Sequence, residues 1–185
     1  SESLMALTLI STHTASADAT IDITSGITST YDSYEFHCVG VHPASDQVFF
    51  QFQVNASNDT GGGFDTSLIT STVFLAYHFE SDAASGLTYS TAQDLAQSAS
   101  HQRLTQEVGN NADQSASGIL TLYAPSSTTY VKHFTARFAD SGYNDYAEDI
   151  YTAGYINQTL AIPEISFQFS SGNIDAGTIK MFGVS

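Results

Sequence analysis

Apolar and polar residues alternate with a period of two along much of the chain. In YEFHCVGV, Tyr34, Phe36 and Cys38 share one face, with Glu35 and His37 opposite. In QVFFQFQVN, Val48, Phe50, Phe52 and Val54 share a face, with Gln51 and Gln53 opposite. In STVFLAYHFE, Val73, Leu75, Tyr77 and Phe79 alternate with Phe74, Ala76 and His78. In EISFQFS, Ile165, Phe167 and Phe169 alternate with Ser166 and Gln168. Each run is short, rich in aromatic or β-branched residues, and bounded by Gly, Pro, Asn, Asp or Ser. This pattern predicts half-buried β-strands. Weaker versions of it occur in MALTLI, ATIDIT, GILTLYAP, TYVKHFTARF, DIYTAGYIN and GTIKMFGV.

The expected fold is therefore all-β: an antiparallel sandwich or jelly roll of eight to ten strands in one domain, 1–185. Alternating helices, which a parallel sheet requires, are missing. Core positions expected from the alternation are Phe36, Phe50, Phe52, Leu75, Tyr77, Phe134, Phe167, Phe169 and Met181. The middle segment, 90–108, reads in two ways. Ser90 and Gln93 have capping-box spacing and Gly109 suits a helix end, which predicts a short helix; the other reading is an extended insertion loop. NASNDTGGGFDTS, with three consecutive glycines, predicts a loop between strands. At the C-terminal end, Ser170–Asp175 predicts a turn helped by Gly172 and Gly177, after which Ile179, Met181 and Val184 return along the sandwich, with a bulge at Gly183. Residues 1–18 are expected to include a partly extended N-terminal arm.

Composition narrows the function. Only 12% of the 185 residues are charged, about half the usual share. With 19 acidic against 4 basic residues the net charge is -15. Such a surface repels nucleic-acid phosphates and anionic membranes, so neither nucleic-acid binding nor membrane insertion is expected. The single cysteine, Cys38, lies in an apolar run and is expected to be a buried free thiol. The opening SESLMALTLIST lacks a basic start and a long apolar core, which predicts a complete protein made in the cytosol without a signal peptide. Asn55, Asn58 and Asn157 begin N-x-S/T triplets, which arise by chance in a Ser/Thr-rich chain.

Candidate chemistry is sparse. The six histidines, His13, His37, His42, His78, His101 and His133, form no HxH, HxxH or HExxH spacing. His37, His78 and His133 each lie opposite an apolar strand face, so a folded sheet can bring them together. No GxSxG elbow is present. Two acidic loops are candidates for Ca²⁺, the one cofactor considered. One holds Asn58, Asp59 and Asp65. The other holds Asp140, Asp145, Glu148 and Asp149, with Asn144 among them; neither has EF-hand spacing. Tyrosines beside these acids make Tyr143, Asn144, Asp145, Tyr146 and Tyr151 a candidate contact patch for a glycan or a protein, with Tyr155 nearby. The cations Arg103, Lys132, Arg137 and Lys180 are each expected to pair with an acid at a subunit contact, and Lys132 and Arg137 to project to opposite faces.

Three stretches, DSYEFHCVGVHPASDQVFFQFQVN, SASGILTLYAPSSTTYVKHF and FSSGNIDAGTIKMFGV, together resemble a group of small β-sandwich structural proteins of marine tailed bacteriophages. The last is also similar to terminal strands of modules in phage fibres and tail-associated proteins. The resemblance implies a non-enzymatic virion component and supplies no catalytic residues. Its leading implication is a capsid decoration or cement protein on the virion surface. Such a protein binds the major capsid protein or other virion proteins, with a homotrimer favoured. The alternative is a tail-associated fibre head or receptor-binding adhesin facing a host-surface glycan. A polysaccharide-cleaving enzyme and a non-viral carbohydrate-binding module are further readings that a sandwich permits.

Overall fold

The structure, a computed structural model, describes residues 7–58, 63–64 and 67–185. Its strands are β1 (Leu7–Thr14), β2 (Ile21–Ile23), β3 (Ser33–Pro43), β4 (Phe50–Asn55), β5 (Ile69–Phe79), β6 (Ser85–Tyr89), β7 (Gln102–Arg103), β8 (Ala116–Tyr123), β9 (Lys132–Gly142), β10 (Tyr146–Ile156), β11 (Glu164–Phe169) and β12 (Ile174–Val184). All ten alternating stretches are strands. β6 and β7 are additional. Among the described residues there is no helix.

The strands form two antiparallel sheets, one ordered β1-β12-β3-β8-β9-β10-β5-β6 and the other β2-β11-β4-β7. Eight of them, β1, β2, β3, β4, β7, β8, β11 and β12, follow the jelly-roll order. The first, eighth, third and sixth make one layer, and the second, seventh, fourth and fifth make the other. Two insertions widen the first layer: β5–β6 leaves between β4 and β7, and β9–β10 between β8 and β11. β10 pairs with both β9 and β5, so the insertions join as one continuous extension.

The core lies between the layers and is built from rings. Phe167 of β11 sits 5.6 Å from Phe36, 5.8 Å from Phe50 and 6.5 Å from Phe52, all fully buried. Phe52 meets Phe134, and Phe50 meets Phe138, tying the second layer to the inserted β9. Burying each such side chain contributes about 1.5–3 kcal/mol. Leu75 belongs to a separate, smaller cluster with Val73 and Ile150, and Tyr77 is only partly buried against it. That cluster lies on the extension, beyond the edge of the main core. Cys38 is buried as a free thiol.

Several positions differ from the sequence reading. Residues 90–108 do not form a helix. The chain makes a single turn, in which the Gln93 and Asp94 amides both reach the Ser90 carbonyl. The Gln93 side chain turns inward, where its Nε2 donates to Thr105 O at 3.2 Å and Gln106 Oε1 at 2.6 Å. The segment is stitched to β5 through Ser71 N–H to Leu95 O and to β4 through Leu104 N–H to Phe50 O, so cross-chain bonds replace helical ones. Gln53 is fully buried, because its Nε2 donates to the carbonyls of Ser67, Ala99 and Ser100. The C-terminal bulge falls around Ala176–Gly177, where Gly177 has φ +116° and a Cβ would strike Gly40 O and Val41. Gly183 instead makes room for the Tyr31 ring. Leu7–Thr14, within the expected arm, is an edge strand paired with β12.

Candidate functional site

The inner face of the extension outruns the smaller sheet, and the 90–110 segment covers part of it. At the turn between β9 and β10 this leaves a cleft of about 280 Å³. Tyr77 and Phe79 enter from β5, Tyr146 and Glu148 from β10, Tyr143 and Asn144 from the turn, and Gln106 and Glu107 from the covering segment. The turn is held by Asp145 N–H to Gly142 O, with Asp145 itself at φ +55°, and by Tyr143 N–H to Glu107 O. Gln114 Nε2 donates to Gly142 O and reaches Asp145 Oδ1 at 3.5 Å.

Asp140 and Glu148 are directly opposed across β9 and β10, and both point inward. Each is only 7% exposed, and no cation faces them. Gln106 N–H donates to Asp140 Oδ2. Asp140 Oδ1 and Glu148 Oε2 have no conventional partner. The two carboxyl groups instead touch each other, a contact that is favourable only with a proton between them. Burial pushes both carboxyls up, Asp140 to about 7 and Glu148 to about 9, the latter raised further by the neighbouring Asp140 and Glu107 charges. Burial and the same acids push the Tyr146 phenol up, so it stays protonated.

The four-acid loop is thereby divided. Asp140 and Glu148 meet inside. Asp149 lies on the opposite face of β10, where Arg137 Nε and Nη2 grip it at 2.9 Å each, and Asp145 sits in the exposed turn. The four do not converge on one point. Of the other acidic loop, Asp59 and Asp65 lie outside the described residues. Among the described residues no group of three or more His, Cys, Asp or Glu is placed to hold a metal ion. The histidines are dispersed. His37 bonds Glu35 at 2.7 Å, His78 bonds Asp82 at 3.1 Å, and His133 lies beside Tyr155. Of the tyrosine patch, Tyr143 and Tyr146 enter the cleft, whereas Tyr151 faces outward.

The outer face of the eight-stranded sheet carries a second feature. Cross-strand registers connect Lys180, His37, Ile119, Arg137, Tyr151, Phe74 and Tyr89 as one row from β12 to β6. Phe74 and Tyr151 stack at 4.8 Å with rings 5° apart, and Arg137 lies 4.8 Å over the Tyr151 ring. Beside the row, Val39, Leu87 and Tyr123 are exposed. Both basic side chains on this face, Arg137 and Lys180, fall in the row. The other two are engaged elsewhere: Arg103 covers the Phe49 ring, and Lys132 is buried. Within the chain Lys132 meets carbonyls and not an acid. Its Nζ donates to Tyr130 O and Gln158 O, and burial lowers its pKa.

The period-two pattern identified the strands that carry this row except β6, but not their order in the sheet. No family model, curated protein or solved structure matches the chain.

Proposed function

We propose that the protein is a non-enzymatic virion structural protein, an accessory capsid decoration or cement protein held on the particle by the outer face of its larger sheet. The observation that carries this is the aromatic, apolar and basic row on an otherwise acidic molecule. Contiguous exposed apolar surface with aromatic and Arg anchors is what protein interfaces use. The resemblance of the three stretches to phage structural proteins supplies the setting, with the major capsid protein as partner. Repetition of a modest contact over a symmetric lattice gives stable attachment, and a trimer matches local threefold symmetry. The buried carboxyl pair adds support for a non-catalytic role. Its members touch, whereas glycosidase carboxyls stand about 5–5.5 Å or 6.5–9.5 Å apart to admit a sugar or a water.

Ile119→Asp combined with Leu87→Asp tests the face. Both side chains are exposed, at 40% and 74%, so the melting temperature is expected to stay within a few degrees of the parent. Rebinding to particles prepared without the protein is expected to weaken at least tenfold. Unchanged rebinding by a folded variant would remove this face from the contact. The tail-adhesin reading draws on a different observation, the tyrosine-lined cleft at the β9–β10 turn.

A further inference from the structure

We propose that the cleft at the β9–β10 turn binds a protonated amine, with the ammonium held by Glu148 and enclosed by Tyr77, Phe79, Tyr143 and Tyr146. Two independent features of the same cavity point to this ligand. The first is an unsatisfied acceptor. Glu148 lines the cleft, is 7% exposed, and its Oε2 meets no donor of the protein. The carboxyl opposite it is Asp140, which also has an oxygen without a conventional partner. Two buried carboxyls facing each other have one donor between them, the proton they share, and an ammonium brings several N–H donors and a positive charge.

The second feature is the wall. Tyr77 and Phe79 meet edge to face at 6.1 Å, with planes 86° apart. Phe79 and Tyr146 are 5.0 Å apart at 48°, and Tyr146 and Tyr143 are 6.3 Å apart at 83°. Successive rings thus turn through large angles, presenting faces and edges from several directions around one space. Ring faces attract organic cations, and an aromatic wall favours an alkylammonium over a hydrated metal ion. Glu107 adds negative charge at the rim. At about 280 Å³ the cleft has room for a short aminoalkyl chain or one amino sugar.

The titratable groups facing the site are Asp140, Glu148 and Glu107 together with the phenols of Tyr77, Tyr143 and Tyr146. An entering ammonium replaces the proton shared by Asp140 and Glu148, so binding strengthens from pH 5 to pH 8. The same head group can arrive on a lysine side chain of a partner protein or on an amino sugar of a surface polysaccharide.

The test is an NMR titration of the full chain at pH 8. The probes are n-butylammonium, neutral n-butanol, Nα-acetyl-lysine amide, glucosamine and Ca²⁺. The expected result is saturable shifts confined to residues around the cleft with n-butylammonium and none with n-butanol. Glu148→Gln is expected to weaken binding at least tenfold while keeping the fold. Glu107→Gln, at the half-buried rim, is expected to weaken it a few-fold and guards against a Glu148 variant that fails to fold. Preference for the lysine derivative or for glucosamine identifies the source. Equal response to butanol, or a response to Ca²⁺ with none to any amine, would overturn the proposal.

Discussion

Removal of Thr178–Ser185 is expected to abolish folding. β12 lies between β1 and β3 and hydrogen-bonds to both along most of its length. The deletion takes out Ile179 and Met181, both fully buried in the main core. Loss of either side chain to alanine size alone costs about 2–5 kcal/mol. The deletion also strands β1 without a partner and opens the β3 edge, leaving Phe36 and Cys38 without cover on one side. The two side chains alone amount to about 4–10 kcal/mol, comparable to the roughly 5–15 kcal/mol that hold a domain together, and the lost strand pairing adds to it. Circular dichroism and thermal melting check it: the truncated chain should show no cooperative transition. A cooperative melt within a few degrees of the parent would mean that the terminal strand is dispensable.

Stability is expected to fall as pH rises from about 4 to about 9, because Asp140 and Glu148 keep protons in the native state that the unfolded chain has released. Their folded values, about 7 and about 9, lie above the unfolded 3.8 and 4.5. The native state therefore binds more protons across this window, and the free energy of unfolding decreases with pH. The contribution is fully present below the unfolded values and is lost as pH passes the folded ones. Each retained proton gives a slope of about 1.4 kcal/mol per pH unit, or roughly 3–5 °C in Tm for a domain of this size. The general repulsion of a chain at -15 acts in the same direction, so the comparison needs a control. Asp140→Asn combined with Glu148→Gln removes both titrations and lets an amide donate across the pair. The double variant should melt higher than the parent at pH 8, and its Tm should vary less with pH. Parallel Tm–pH curves for the two proteins would show that the pair ionises freely in the native state.

Much of this architecture was legible in the sequence, for a physical reason. Alternation records which face of a strand is buried, and it located ten strands and placed Phe36, Phe50, Phe52, Phe134, Phe167, Phe169 and Met181 in the interior. It failed where cover came from a distant segment. Gln53 reads as solvent-facing until residues 98–100 fold over it. Ser85–Tyr89 has too few apolar residues to mark β6, and its place is set by pairing with β5. The carboxyl pair left a signal that grouping the acids by proximity obscured. Counting by two from Ile150 puts Glu148 inward with Tyr146 and sends Asp149 outward with Tyr151. The partner at Asp140 follows only from the register of β9 on β10. The row on the outer face needs the order of seven strands, β12 to β6, which non-local pairing decides and no local window records.

Attachment to a virion is tested most directly by counting copies. Quantitative mass spectrometry of purified particles, expressed as a ratio to the major capsid protein, should give one copy per capsid subunit or a simple lattice fraction of it. A few copies per particle would move the protein to the tail and favour the adhesin. Absence from the particle would contradict the virion assignment outright.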